Sequence, residues 1–234
     1  EAYKSDALKL VENLDFNFSF SDGNIPIHTN KLVFNNIIES ENKISFQFED
    51  GITFIYELPS DSYELKFNIL TNQSNNSLRP PALIWSQKIN QFEKSLDNER
   101  NATTIHYSDN NKSSKKLSLM KDSKKDKESL FWVAHAQQFF ATIICSKNPF
   151  ETVFMSSIAS EDTTYVKHLE SEFIIEDDTD THNYVFSIFF LPNKYSLLSS
   201  FDKGFESLVP LGWGIFGWVN QFLVIPIFNF LETF

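Results

Sequence analysis

The chain carries five histidines, His28, His106, His135, His168 and His182, and a single cysteine, Cys145. A helical zinc site needs ligands four residues apart, or a Cys/His cluster. No histidine pair has that spacing, and one cysteine makes neither a cluster nor an internal disulfide. Cys145 closes the apolar run Ala141-Thr142-Ile143-Ile144-Cys145 and reads as a small buried hydrophobe. No G-x-S-x-G elbow and no P-loop is present. Gly212, Gly214 and Gly217 have a glycine-rich spacing but stand among Trp and Phe with no preceding strand, so they do not read as phosphate binders. Glu57, Glu64, Glu93 and Glu170 could serve as the acids of a sugar-processing enzyme, yet their scatter along alternating segments reads as solvated strand faces. Glu176-Asp177-Asp178 with Asp180 lacks the spacing and glycine of a calcium loop and reads as a hairpin tip. His135, close to Trp132, is the best isolated candidate for a polar site; the plainer reading is a satisfied, half-buried imidazole. The expectation is no catalytic residue, no metal site and no cofactor.

These residues are spaced along a chain built for strands. Leu14, Phe16, Phe18 and Phe20 alternate with polar residues, as do Ile44, Phe46 and Phe48, then Ile52, Phe54, Tyr56 and Leu58, then Tyr63, Leu65, Phe67 and Ile69. A period of two puts one face on a core and the other in water, as in antiparallel sheet. Ser21-Asp22-Gly23-Asn24, Asp50-Gly51 and Pro59-Ser60-Asp61 supply turns, with Asp50-Gly51 the strongest hairpin signal. Further strands are expected at 82–89, 102–107, 130–134, 139–146, 152–158, 164–175 and 183–191. About a dozen short strands suggest two packed sheets. The 25 phenylalanines against 6 glycines fit half-buried pleated surfaces. Residues 108–129, rich in Ser, Lys, Asp and Asn, read as a solvated, mobile connection. A net charge of −11 opposes nucleic-acid binding and broad attachment to anionic lipid.

The last forty or so residues change character. Lys194 to Phe205 reads as a helix with Tyr195, Leu198 and Phe201 on one face. From Ser207 to Leu231 no residue is charged. That length could span a bilayer, but Pro210 and Pro226 interrupt it, Asn220, Gln221 and Asn229 lie inside it, and Trp213 and Trp218 are of the kind that settles at interfaces. A helix lying along a membrane surface fits best, ahead of a helix packed on the domain's own sheet and of a span.

Two stretches carry a family resemblance. Leu208-Val209-Pro210-Leu211-Gly212-Trp213-Gly214-Ile215-Phe216-Gly217-Trp218-Val219-Asn220, running on to Ile225-Pro226-Ile227-Phe228, resembles the segment that joins the periplasmic domain of YidC-type membrane protein insertases (YidC/Oxa/Alb family) to their membrane core, in a Bacteroidetes-like form. Phe131-Trp132-Val133-Ala134-His135-Ala136-Gln137-Gln138-Phe139-Phe140-Ala141-Thr142 is similar to the family signature W-V-A-x-x-Q-Q-Y-F-A-T. The resemblance implies an all-β, twisted antiparallel supersandwich of galactose-mutarotase-like fold over residues 1–193, and a C-terminal helical segment over 194–234. It implies a signature strand carrying Trp132, Gln137, Gln138, Phe139 and Phe140. It also implies a membrane-proximal coupling helix carrying Trp213, Ile215, Phe216, Trp218, Val219, Phe222, Ile225, Pro226 and Phe228. The implied partners are the Sec translocon with its SecDF-type accessory subunits, nascent inner-membrane proteins and the lipid bilayer, at the periplasmic face of the inner membrane. A membrane anchor is expected before Glu1 and a five-helix core after Phe234. Fold alone does not bring mutarotase chemistry, and the remaining alternative is a periplasmic carbohydrate-binding or sugar-epimerase-like sandwich.

Overall fold

A computed structural model describes residues 13–22, 25–31, 33–48, 51–71, 78–175, 183–212 and 219–231. The first strands are β1 (Asn13–Asp22), β2 (Ile25–His28), β3 (Asn36–Ser40), β4 (Lys43–Gln47), β5 (Thr53–Glu57) and β6 (Glu64–Leu70). Then come β7 (Leu78–Asn90), helix α1 (Leu96–Ala102), β8 (Thr104–Ser108) and β9 (Lys115–Lys116). Four long elements close the sheet: β10 (Ser123–Ala136), β11 (Phe140–Ala159), β12 (Tyr165–Ile174) and β13 (Asn183–Pro192). All pairings are antiparallel, so the chain is mainly β as its alternation predicts. The Asp50-Gly51 signal falls between β4 and β5, which pair with Phe46 opposite Phe54. Gly51 takes φ +77° there, and its N–H reaches the Phe48 carbonyl.

The strands form one continuous path, β2-β1-β7-β12-β11-β13-β6-β5-β4-β3. β6 stands five ladder steps from β1, through β7, β12, β11 and β13. In a flat sheet that is roughly 24 Å, at about 4.8 Å per strand. Yet the rings of Phe18 on β1 and Phe67 on β6 are 5.1 Å apart, and Phe18 also lies 5.5 Å from Phe54 on β5. The sheet therefore folds over on itself into two leaves, with the phenylalanines of both packed between them. β11 makes the corner. Its first half pairs with β13 and its second half with β12. Its pairing with β10 jumps in register between Leu130 and Trp132, next to Ser129 at φ +54° and opposite the stretch that holds Pro149.

A second core lies on the outer face of the β10–β11–β13 leaf. Trp132, Ala134, Ile143, Phe189 and Leu191 are buried there beneath Leu198, Phe205 and Leu208. Both faces of this leaf are covered, which is why every residue of Trp132–Ala136 and Ala141–Cys145 is buried, the polar His135 and Thr142 included.

Three expectations change. The signature is a hairpin rather than one strand: Trp132–Ala136 end β10, residues 137–139 turn, and Phe140 opens β11. Residues 108–129 hold β9 and the first half of β10, paired from Ser123 to Glu128 with Ser157 to Thr152, in place of a mobile connection. Here the lysines point to solvent while the backbone is claimed by the ladder. The helix expected from Lys194 to Phe205 shortens to α2 (Tyr195–Ser199), followed by a 3₁₀ turn at Phe205–Leu208. Asp202 at φ +52° and Gly204 at φ +74° end the helical path between them. These elements pack on the sheet, so the boundary drawn at 193/194 cuts through one packing unit.

Candidate functional site

The signature hairpin holds the C-terminal segment to the sheet. Gln137 N–H bonds to the Phe140 carbonyl at 2.8 Å and closes the turn. The turn's outward carbonyls are then taken by one residue. Asn193 donates its side-chain amide to Gln137 O (2.8 Å) and Gln138 O (3.3 Å), and its backbone N–H to Phe139 O (2.7 Å). Asn193 directly follows β13 and stands two residues before α2, so the hairpin sets where the chain leaves the sheet. At the other end of the hairpin Trp132, fully buried, donates Nε1–H to the Lys203 carbonyl at 2.9 Å and meets the Phe205 ring edge-on at 5.4 Å. Phe139 is 49% exposed at the tip, Gln138 is exposed and Phe140 half-buried.

Gly204 is required twice over. Its φ of +74° suits a residue without Cβ, and a Cβ there would stand 2.6 Å from the carbonyl carbon of Lys112. Ser207 Oγ reaches Ser114 Oγ at 2.9 Å, so the loop before β9 is clasped to the same segment.

Beyond this clasp the chain runs into the charge-free stretch. Trp213, Ile215, Phe216 and Trp218 lie outside the described residues. A π-helical turn spans Asn220–Val224 and leads into α3 (Ile225–Leu231). Pro226 has no N–H and crowds the carbonyl four residues back; the wider turn before it accommodates this, with Ile225 N–H bonding to Asn220 O. Asn220 Nδ2 donates to the Leu211 carbonyl at 2.7 Å and ties the helix start to the segment that follows the 3₁₀ turn. Leu223, Ile227 and Leu231, spaced four apart, form a stripe that is 50–58% exposed, with Phe228 beside it at 62%. Val219 and Ile225 are half-buried, and Pro226 is exposed. Of the coupling-helix residues expected from the sequence, Pro226 and Phe228 are thus exposed and Val219 and Ile225 half-buried, the side chain of Phe222 lies outside the described residues, and the exposed stripe is made by Leu223, Ile227 and Leu231, which the sequence did not single out. No described helix is long and apolar enough to cross a membrane.

The residues that promised chemistry are dispersed. His135 and Trp132 do not share a site: Trp132 faces the outer core, and His135 faces inward, stacked on Trp85 with ring centroids 3.5 Å apart. Its Nε2 pairs with Ser171 Oγ at 3.0 Å, and burial, reinforced by His168, pushes its pKa well below the usual histidine range. His106 meets Ser114 Oγ at 3.2 Å, and burial with Lys116 brings its pKa down to about 4. His168 meets Ser86 Oγ at 2.7 Å. Each of these imidazoles bonds a serine, and among the described residues none bonds a carboxylate. Cys145 is buried, and its thiol pKa is pushed up to about 12 mainly by that burial, as suits a core residue. Glu57 pairs with Lys66 at 3.2 Å, and Glu64 accepts from Ser187. No group of three His, Cys, Asp or Glu side chains able to hold a metal occurs among the described residues. Sequence reasoning missed Asn193 and Lys203, whose roles depend on partners 54 to 71 residues away. Only the turn-prone Pro192-Asn193 pair hinted at the first.

The family described as the YidC periplasmic domain matches residues 16–228. A membrane protein insertase YidC from Parabacteroides distasonis is 32% identical over 256 aligned positions, covering 100% of this chain and 40% of that protein. One from Amoebophilus asiaticus is 30% identical, covering 99% and 43%. The chain thus spans about two fifths of the length of these relatives. Among solved structures, an alpha-N-acetylgalactosaminidase from Bifidobacterium bifidum overlays 79% of this chain and 32% of its own at a TM-score of 0.49 and 8% identity. Matched along nearly all of its length by the family and end to end by an insertase relative, the chain belongs to the YidC periplasmic domain family.

Proposed function

We propose that this chain is the extracytoplasmic scaffold of an inner-membrane insertase, holding the path into a membrane-embedded core at a fixed angle and offering surface to partners, without catalysis of its own. The observation that carries this reading is the outward-facing apolar stripe of Leu223, Ile227 and Leu231, on a helix reached through a segment clamped to the sheet by Trp132 and Asn193. A large exposed apolar patch next to a rigid anchor calls for an apolar neighbour. About half of each side chain is already covered, so sealing the rest contributes roughly 0.8–1.5 kcal/mol apiece, and the stripe together suffices to seat the helix at a bilayer boundary or on the core. Nascent inner-membrane proteins and the Sec translocon with SecDF-type subunits are the proposed partners, at the periplasmic face of a multi-pass parent. The sugar-epimerase-like alternative needs a histidine and a carboxylate held together, and His106, His135 and His168 each meet a serine instead.

Vesicle flotation of the 234-residue chain tests the seat. The chain is expected to float with neutral phosphatidylcholine vesicles and to stop floating when Leu223, Ile227 and Leu231 are changed to Asn. Equal flotation of both chains would remove the membrane-seating role of α3. In cells, the same three changes in the parent protein are expected to slow the appearance of newly made inner-membrane proteins.

A further inference from the structure

The sheet has several open edges, and they are not treated alike. β2 contains Pro26, which offers no N–H. β9 is two exposed lysines. The open half of β10 carries exposed Lys124, Lys125 and Lys127. Proline, brevity and lysine are the devices by which natural sheets discourage a further strand. β3 ends the sheet path and has none of them. All five of its residues are exposed, and Ile37 and Ile38 stand consecutively, 51% and 50% exposed on opposite faces. Val33 (82%) and Phe34 extend the apolar surface just before it.

The charges at this edge are acidic. Glu39 lies in β3, and Glu41 follows in the turn to β4. Both line a cleft of about 560 Å³ with Asp61, Tyr56 and Leu58; Lys43 is the cation in its wall. Two copies of a chain carrying −11 each would bring like charges together here. The edge is therefore open to a strand but closed by charge to its own kind.

We propose that β3 is a docking edge for an extended polypeptide segment of alternating apolar and basic residues, added as a further strand with its apolar side chains on the Ile38 face and its Lys or Arg on the opposite face, which Ile37 shares with Glu39, toward Glu39 and Glu41. Main-chain hydrogen bonds supply the affinity in this mode, and side-chain pattern supplies the choice. The edge gives a partner chemistry to the scaffold role above and rests on that role for its biological sense. The assay below reads peptide capture alone, so it can fail while membrane seating holds, and the reverse.

The probe is a short fluorescein-labelled peptide of alternating Val and Lys, titrated with the 234-residue chain and followed by anisotropy. Saturable binding is expected. It should weaken roughly tenfold or more when the Lys are replaced by Glu, when alternate peptide nitrogens are methylated, or when the chain carries Ile37→Lys with Ile38→Lys, the guard that β9 and β10 already have. Both isoleucines are half exposed, so the double variant should keep the parent's melting midpoint. Should it not fold, the methylated peptide still decides the matter, since it leaves the protein untouched. A Leu223→Ser, Ile227→Ser chain should bind like the parent, which separates the edge from the apolar helix. Equal binding of the methylated peptide or of the Glu peptide would overturn the proposal. So would a peptide-free dimer that Ile38→Lys dissolves.

Discussion

Replacing Gly204 by Ala puts the clasp between the sheet and the C-terminal segment to a direct test. Two costs act at once. A side chain at φ +74° pays for left-handed backbone, about 1–2 kcal/mol. The new Cβ also meets Lys112 main-chain atoms at 2.6–3.0 Å, where only a backbone shift gives relief. That backbone is not free to shift. Asn110 Oδ1 accepts from the N–H groups of Lys112 (3.0 Å) and Ser113 (3.2 Å), Ser108 Oγ bonds Ser113 O at 2.7 Å, and Asn111 already sits at φ +54°. Overpacking of this kind costs about 1–3 kcal/mol, for a total of roughly 2–5 kcal/mol. In a domain of this size each kcal/mol moves the melting midpoint by about 2–4 °C, so a fall of at least about 4 °C is expected by calorimetry. Hydrogen exchange should locate the damage, with amides of 110–116 and 204–208 exchanging faster and β12 unchanged. A midpoint moved by less than about 1 °C, or faster exchange spread evenly over the sheet, would refute the account of Gly204 as a contact point between two segments.

Trp132→Phe keeps a ring against Phe205 but deletes the donor to the Lys203 carbonyl; a loss of about 0.5–1.5 kcal/mol from the hydrogen bond should appear as faster exchange at 203–209, ahead of any global change. Acid should weaken the fold through its histidines. His135 and His106 hold depressed values when folded and regain the ordinary one near 6.5 when unfolded, so below that pH the unfolded chain binds protons the folded chain refuses. Stability is therefore full above about pH 6.5 and falls by up to about 1.4 kcal/mol per pH unit for each histidine as pH drops, toward about 4 for His106. Urea titrations between pH 7 and 4.5 check the slope, which His106→Gln should flatten.

Alternation made β1, β4, β5 and β6 legible, because each has one wet face. The β10–β11–β13 leaf was legible as strands but not as doubly covered, since His135 and Thr142 interrupt its apolar runs and only the fold shows both to be buried. α1 escaped notice. Its signal is the Ser95 cap, whose Oγ accepts from Asn98 N–H at 3.3 Å, and its seven residues show no stripe long enough to read. Residues 108–129 misled because lysine-rich composition reports what side chains do, and there the backbone pairs regardless. β3 was invisible for the reason that makes it interesting: Ile37 and Ile38 are neighbours and break the period of two. The hairpin's role could not be read from its own residues, because it lies in carbonyls claimed by Asn193 and in one claimed by Trp132.

The shared corner strand has a consequence for how the chain acquires its shape during synthesis. β3 to β6 form a local meander that can close as soon as it is made. β7, however, pairs with β12, β6 with β13, and β11 links the two leaves, so neither leaf has its full set of neighbours until residues near 190 exist. Such distant pairings make assembly slow. For most of its birth the polypeptide is thus expected to persist as an open, sticky ribbon, its phenylalanines unsheltered, and to snap shut only when the final strand arrives.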